Sequence, residues 1–230
     1  MLLHGFLPSL LEGAAVTLGV ALSSLLIAAL LGLLGALAKL SRSRIAQAVA
    51  GLYTTLIRGV PDLVLMLLVF YGGQIAINTV APMLGHEDYI DIDPFVAGSL
   101  TIGFIFGAYL TESFRGAFLA VPAGQREAGL AFGMSPARVL WRITLPQMLR
   151  HALPGISNNW LVLIKSTAIV SIIGLSDLMT RGQQAAGTTR EPFSFYLAVA
   201  VIYLVFTSVS ELAFSWAQKR LAMGVKEGRL

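Results

Sequence analysis

The chain contains no cysteine, and only 12% of its 230 residues are charged. The absence of cysteine excludes disulfides, thiolate metal sites and cysteine nucleophiles. The three histidines, His4, His86 and His151, lie far apart in sequence and lack metal-ligand spacing. The chain also has no Gly-x-x-x-x-Gly-Lys-Ser/Thr phosphate loop, so it does not hydrolyse ATP by that route. Any catalytic domain is therefore expected on another chain.

Apolar residues are abundant, at 56% of the chain with a mean hydropathy of +0.78. Runs of about 20 apolar residues are long enough to cross a bilayer as helices. The first run is too long for a signal-peptide core, so we expect it to be retained as a span. The sequence predicts an all-α integral membrane protein with about five transmembrane helices, at residues 13–38, 50–82, 95–114, 153–177 and 192–216.

Proline and glycine positions predict where these helices break and where they pack closely. Pro61 cannot donate a hydrogen bond to the carbonyl of Ile57, so a kink or a broken turn is expected inside the second run. Pro154 and Gly174 are further points where the chain is expected to bend. Gly103 and Gly107 follow the small-xxx-small pattern, which favours close helix packing inside the bundle.

Basic residues concentrate in alternate connections between the spans. The twelve on one side are Lys39, Arg42, Arg44, Arg115, Arg126, Arg138, Arg142, Arg150, Lys219, Arg220, Lys226 and Arg229, against Arg181 and Arg190 on the other. By the positive-inside rule, the amino terminus is periplasmic and the carboxyl terminus cytoplasmic. The basic residues that give the pI near 9.6 thus set the topology and contact anionic lipid headgroups. Nucleic-acid binding is not expected. The acidic loop 85–94 is either a solvated turn or a surface for a basic partner.

The longest polar connection, about residues 120–150, predicts two short helices. One covers 123–132 and ends at Gly133, because glycine tolerates the left-handed conformation after a helix. The other begins with Ser135 as its N-cap and Pro136 as its first residue, and is expected to stop near Leu145, before Pro146. Its apolar residues share one face, so it can lie in lipid or bind in a partner's groove.

The order Glu127-Ala128-Gly129, then Gly133, then Ile143-Thr144-Leu145-Pro146 resembles the EAA loop of ABC importer permeases. In that family the loop forms coupling helices that sit in a cleft of the ATP-binding subunit. Gly129 stands where the family usually has alanine, a change expected to alter packing slightly. The resemblance implies ATPase coupling for Glu127, Ala128, Gly133, Val139, Leu140, Ile143 and Pro146.

The resemblance extends over nearly the whole chain, through segments 54–62, 106–109, 112–118, 154–160 and 165–167. These segments are similar to polar amino-acid permeases, closest to the Q-subunit type of histidine/lysine-arginine-ornithine importers. The resemblance implies a type I ABC importer permease fold, with residues 1–230 as a single transmembrane permease domain of the bacterial inner membrane. It also implies a second homologous permease chain, two copies of an ATP-binding subunit that carry ATP and Mg, and a periplasmic amino-acid-binding protein. This chain would bind no cofactor and no metal itself.

Charged residues within the spans are candidates for the transport path or for structural pairs. An ionised side chain in the bilayer centre costs about 2.5–3.5 kcal/mol on insertion scales, so it usually faces a cavity or a partner. Arg58 can meet a substrate carboxylate, and Asp62 and Glu112 can meet cationic groups. The alternative is that such residues brace the bundle, Arg58 with Asp62 and Glu112 with Arg115. For Lys165 we expect a structural pairing role, about midway along the fourth span.

Two other functions are compatible with the same five spans. A channel or secondary transporter that needs no ATPase would not require the spaced segment from Glu127 to Pro146. A scaffold subunit without a transport path would pair its intramembrane charges internally. Which of histidine, lysine, arginine and ornithine is preferred stays open, because the binding protein does much of the selection in such systems.

Overall fold

The computed structural model describes residues 2–222, and the described chain is helical with no β-strand. The α-helices are α1 (Leu7–Leu40), α2 (Arg44–Gly59), α3 (Asp62–Val80), α4 (Pro94–Leu119), α5 (Ala123–Ala131), α6 (Pro136–Val139), α7 (Leu145–Ser166), α8 (Leu178–Thr189) and α9 (Pro192–Ala222). Shorter turns are 3-10 helices at Leu2–Gly5, Ala81–Leu84 and Thr167–Ile173 and a π turn at Leu140–Thr144.

Five helical segments are long and apolar enough to cross a membrane, as the sequence predicted. They are Leu7–Leu40, Asp62–Leu84, Pro94–Leu119, Pro136–Ile173 and Pro192–Leu221. The predicted bounds of the second span, 50–82, are wrong at their start. Residues 50–59 belong to α2, a separate helix that lies before the break at Pro61.

The break at Pro61 is complete. Val60 is extended, with φ −110° and ψ 138°, and Pro61 precedes the first residue of α3 with ψ 136°. The residue before a proline is disfavoured in the helical region, which explains why α2 ends at Gly59. The amide of Leu65 donates to the Pro61 carbonyl at 3.1 Å, so the new helix starts at once.

Helix α4 is the centre of the bundle, and 67% of its most apolar stretch is buried within the chain. Its most extensive neighbour is α1. A β-carbon at Gly103 would lie 2.6 Å from the β-carbon of Ile27, and one at Gly107 would lie 2.8 Å from that of Leu31. Gly32 of α1 faces Leu110 in the same manner. These glycines therefore serve packing inside the bundle, which confirms the interpretation of Gly103 and Gly107.

A second, smaller core joins α8 to the start of α1 and to α9. Leu10, Leu178 and Phe195 are fully buried there. The hydroxyl of Thr17 accepts a hydrogen bond from the amide of Leu178 at 3.1 Å. Burial raises the pKa of Asp177, which caps α8 by accepting from the amide of Thr180 at 2.8 Å.

The two ends of the bundle differ in charge. Lys39 at the end of α1 contacts Glu112 near the end of α4, and Arg150 at the start of α7 donates to the Leu221 carbonyl of α9 at 2.7 Å. We call this end, which carries the basic connections between residues 39 and 220, the basic face. Lys226 and Arg229, also predicted on this side, lie outside the described residues.

Replacing Gly103 by alanine is expected to destabilise the protein by about 1–3 kcal/mol, because the added methyl overpacks the contact with α1. The measurement is the thermal unfolding midpoint of the purified transporter in detergent. Gly116→Ala in the same helix is the matched control, since nothing lies within 4 Å of a β-carbon there. It should be neutral or stabilising. Equal loss of stability in both variants would contradict the packing role.

Candidate functional site: a helical hairpin on the basic face

Helices α5 and α6 form a compact hairpin at the basic face. Gly133 adopts φ +77°, and the amide of Met134 donates to the Gly129 carbonyl at 3.1 Å, which closes the end of α5. Ser135 caps the next helix by accepting from the amide of Arg138 at 3.4 Å, with Pro136 as the first helical residue. The predicted helix end at Gly133 and the predicted N-cap are confirmed. We call residues 123–144 the coupling hairpin, after the role that the resemblance to ABC importer permeases implies.

The second helix of the hairpin does not stop before Pro146, and this prediction is wrong. It passes through the π turn, where the amide of Leu145 donates to the Leu140 carbonyl, and continues as α7 to Ser166. Proline lacks an N–H and its ring crowds the preceding turn, and the widened π turn accommodates Pro146 without ending the helix. The coupling hairpin is therefore continuous with a membrane-spanning helix.

The inside of the hairpin is apolar and tight. Val139 is only 4% exposed, and Ile143 is half-buried. A β-carbon at Gly129 would lie 2.7 Å from Cδ1 of Ile143 and 3.0 Å from Cγ2 of Val139. Val139 and Ile143 thus hold α5 against the second helix. The sequence pattern could not distinguish this internal packing from direct contact with a partner. Gly129 lets the two arms approach.

The outer surface of the hairpin combines a protruding ring with a shallow depression. Phe132, at the tip, is 89% exposed, and Trp141 is 68% exposed. Glu127 and Ala128 are also exposed, as is Pro146. The depression has a volume of about 300 Å³ and is lined by Phe118, Ala123, Arg126, Glu127, Leu130, Pro136, Val139, Leu140 and Thr144.

Phe132 and Trp141 were not among the residues predicted to be functional. A signal was present, because Phe132 directly precedes the turn glycine and is an apolar ring in a polar connection. Large exposed aromatic residues are typical anchors of protein interfaces. The surface therefore offers both a side chain to insert and a hollow to receive one.

A charged network lies at the basic face. The Lys39 ammonium donates to Oε1 of Glu112 and to the hydroxyl of Thr54, the latter at 2.6 Å, and Nε of Arg115 lies 2.9 Å from Oε2 of Glu112. The network joins α1, α2 and α4. The pairing of Glu112 with Arg115 matches one of the two alternatives from the sequence, and Lys39 was not anticipated. This geometry favours bracing by Glu112.

The other intramembrane charges have no such partners. The Arg58 guanidinium lies 5.4 Å from the ring centre of Tyr109, and within residues 2–222 it forms no ion pair with Asp62, which lies beyond the helix break. Lys165 is exposed at the end of α7, beside a hollow of about 330 Å³. It also has no ion pair in the described part of the chain, so the expected structural pairing is not found there.

Comparisons with known proteins agree with this geometry. Residues 28–223 match the family described as "Binding-protein-dependent transport system inner membrane component". The chain belongs to this family, whose members are the permease subunits of ATP-driven importers, and it is a multi-pass membrane protein.

Two curated relatives and one solved structure make the match more specific. The chain is 54% identical to the histidine/lysine/arginine/ornithine transport system permease protein HisQ of Escherichia coli, over 100% of both chains. It is 43% identical to the octopine transport system permease protein OccQ of Rhizobium radiobacter, over 95% of this chain and 92% of the relative. A crystal structure of an amino acid ABC transporter with histidines superposes with a TM-score of 0.78 at 31% identity, covering 93% and 94% of the two chains.

Replacing Glu112 by glutamine is expected to destabilise the protein by about 1–3 kcal/mol, since Lys39 and Arg115 then lose their shared counterion. The double change Lys39→Met with Glu112→Leu should cost less, because both inner charges leave together. Thermal unfolding of the purified transporter measures both effects. Glu87→Gln, an exposed acid on the opposite loop, is the control and should be neutral. A single variant no worse than the control would exclude a bracing role.

Proposed function

We propose that the chain is the permease subunit of an ATP-driven importer for histidine and the cationic amino acids lysine, arginine and ornithine. The observation that carries the proposal is the coupling hairpin, which stands on a membrane-spanning helix and exposes an aromatic anchor. The substrate class follows the HisQ relative, which is 54% identical over its full length. Residues 1–230 act as one permease domain.

The proposed partners are a second homologous permease, two copies of an ATP-binding subunit with ATP and Mg, and a periplasmic amino-acid-binding protein. The small buried fraction of two spans supports a partner within the membrane. Only 17% of the most apolar stretch of Asp62–Leu84 and 6% of that of Pro192–Leu221 are buried within the chain, which leaves wide apolar faces for lipid and a companion chain.

In the proposed orientation the basic face is cytoplasmic, the amino terminus periplasmic, and the membrane is the bacterial inner membrane. The positive-inside rule supports this orientation, because the basic residues of the connections gather at one end of the bundle. An ATP-binding subunit in the cytoplasm would then meet the coupling hairpin directly.

The proposed mechanism is alternating access. ATP-driven closure of the ATP-binding subunits moves the coupling hairpin, and the continuous helix passes that motion into α7. The amide of Asn159 in α7 donates to the hydroxyl of Ser113 in α4 at 3.0 Å, which links the moving helix to the bundle centre. The break at Pro61 and the left-handed turn at Gly174, with φ +92°, are places where the chain can bend.

For the transport path we propose Arg58 and Asp62 as the residues that meet substrate, with Glu112 in the wall of the path. Arg58 and Asp62 are free of ion pairs within the described residues, so each can bind an opposite charge on a zwitterionic substrate. Glu112 is already neutralised by two cations. Where Asp62 meets a cationic side chain, it also rejects substrates with a neutral side chain, because its charge is then left unpaired.

Phe132→Ala is expected to weaken binding of the ATP-binding subunit more than tenfold, since buried aromatic anchors carry a large share of interface energy. Glu127→Lys should uncouple hydrolysis from uptake in the same complex. The measurements are copurification in mild detergent, and ATPase activity stimulated by binding protein and substrate. Met83→Ala removes another apolar side chain, 78% exposed, at the other end of the bundle and should change neither. A stable, fully coupled Phe132→Ala complex would contradict the anchor role.

Asp62→Asn is expected to lower uptake of lysine and arginine about tenfold, through loss of a charge-assisted hydrogen bond. Glu112→Gln should act mainly on stability. Uptake into proteoliposomes measures the first effect, and stimulated ATPase activity is checked separately to exclude misfolding. If uptake and its preference for cationic substrates survive both changes, the path assignment fails. Uptake without any bound ATPase would instead support a channel or secondary transporter.

A further inference from the structure

An open apolar groove lies between α1 and α2. Its volume is about 800 Å³. The lining residues are Leu31, Leu34, Gly35, Ala38, Ser43, Ile45, Ala46, Val49, Ala50, Tyr53 and Phe104. The two hydroxyl groups among them are engaged: Tyr53 donates to the Phe104 carbonyl at 2.5 Å, and Ser43 accepts from the amide of Ala46 at 3.3 Å. The groove thus fits a hydrocarbon chain.

The groove is long enough for much of an acyl chain. It runs along α2 from Ser43 to Tyr53, which at ~1.5 Å per residue is about 15 Å. This length is comparable to half of a hydrocarbon core of about 30 Å. An acyl chain that enters beside Ser43 would therefore reach Tyr53 and Phe104 at the far end of the groove.

Two arginines stand at the mouth of the groove. Arg42 and Arg44 are exposed, and neither forms an ion pair within residues 2–222. Lys39, the third basic residue of this connection, is occupied by Glu112 and Thr54. A basic residue close to a membrane surface strengthens binding of anionic lipid about fivefold.

The apolar wall of the groove continues on the surface of α2. Ile45 is 78% exposed and Val49 is 63% exposed, and Leu52 and Leu56 continue the same stripe. An anionic headgroup complements Arg42 and Arg44, which have no ion-pair partner within residues 2–222.

We propose that the groove between α1 and α2 is a binding site for an anionic phospholipid of the leaflet at the basic face, with its phosphate at Arg42 and Arg44 and one acyl chain along Val49 and Tyr53. A lipid bound there would contact both α1 and α2. The site is separate from the substrate path and from the coupling hairpin.

Native mass spectrometry of the purified transporter complex, titrated with phosphatidylglycerol or phosphatidylcholine, tests this site. The variant Arg42→Gln with Arg44→Gln should bind phosphatidylglycerol at least tenfold more weakly at one site per chain, with no change for phosphatidylcholine. Ala46→Phe fills the groove and should lower the retention of phosphatidylglycerol while both arginines remain. Stimulated ATPase activity confirms that each variant is folded.

The matched control is Lys219→Gln with Arg220→Gln, which removes two exposed charges from the same face at the end of α9. It should leave the site intact. Equal loss of phosphatidylglycerol in the control, or no loss in the arginine variant, would overturn the proposal. Because the chain has no cysteine, Val49→Cys provides a unique label. Efficient crosslinking of that label to a companion permease would show that protein, not lipid, covers the groove.

Discussion

The close approach of α1 to α4 is the contact on which the rest of the bundle depends. In lipid there is no hydrophobic drive between apolar helices, so association relies on packing at short range and on polar contacts. The glycines of both helices supply the short range, and the network of Lys39, Glu112 and Arg115 supplies the polar contact at one end. With α4 fixed in this way, α7 and α3 pack on its remaining surface.

The same arrangement connects the surface hairpin to the interior. Helix α4 runs directly toward α5, and α7 emerges from the second arm of the hairpin, so both arms are attached to spans. Gly129, Val139 and Ile143 keep the arms together as a unit. A force on the tip is therefore shared by two spans that also contact each other through Ser113 and Asn159. A loosely tethered loop would dissipate that force.

Much of this architecture could be predicted from local chemistry. Apolar runs indicated five spans, Pro61 indicated the break, and Ser135 and Gly133 indicated the ends of the hairpin helices. What could not be predicted depends on contacts distant in sequence. Lys39 reaches Glu112 across 73 positions, and Val139 is buried only because Gly129 opposes it. The helix across Pro146 was missed because a proline normally predicts a helix end. Here the widened π turn before Pro146 lets the helix continue.

The π turn before Pro146 has a geometric consequence for the two helices it joins. A turn of this kind holds one residue more than an α-helical turn, so it shifts the register by about 100°, the rotation per residue of an α-helix. Side chains of α6 and α7 therefore follow two different angular phases along one continuous rod. The face that α6 directs into the hairpin is displaced around the axis from the face that α7 directs into the membrane bundle. One extra residue thus sets the direction, around the axis of α7, in which the coupling hairpin projects from the bundle.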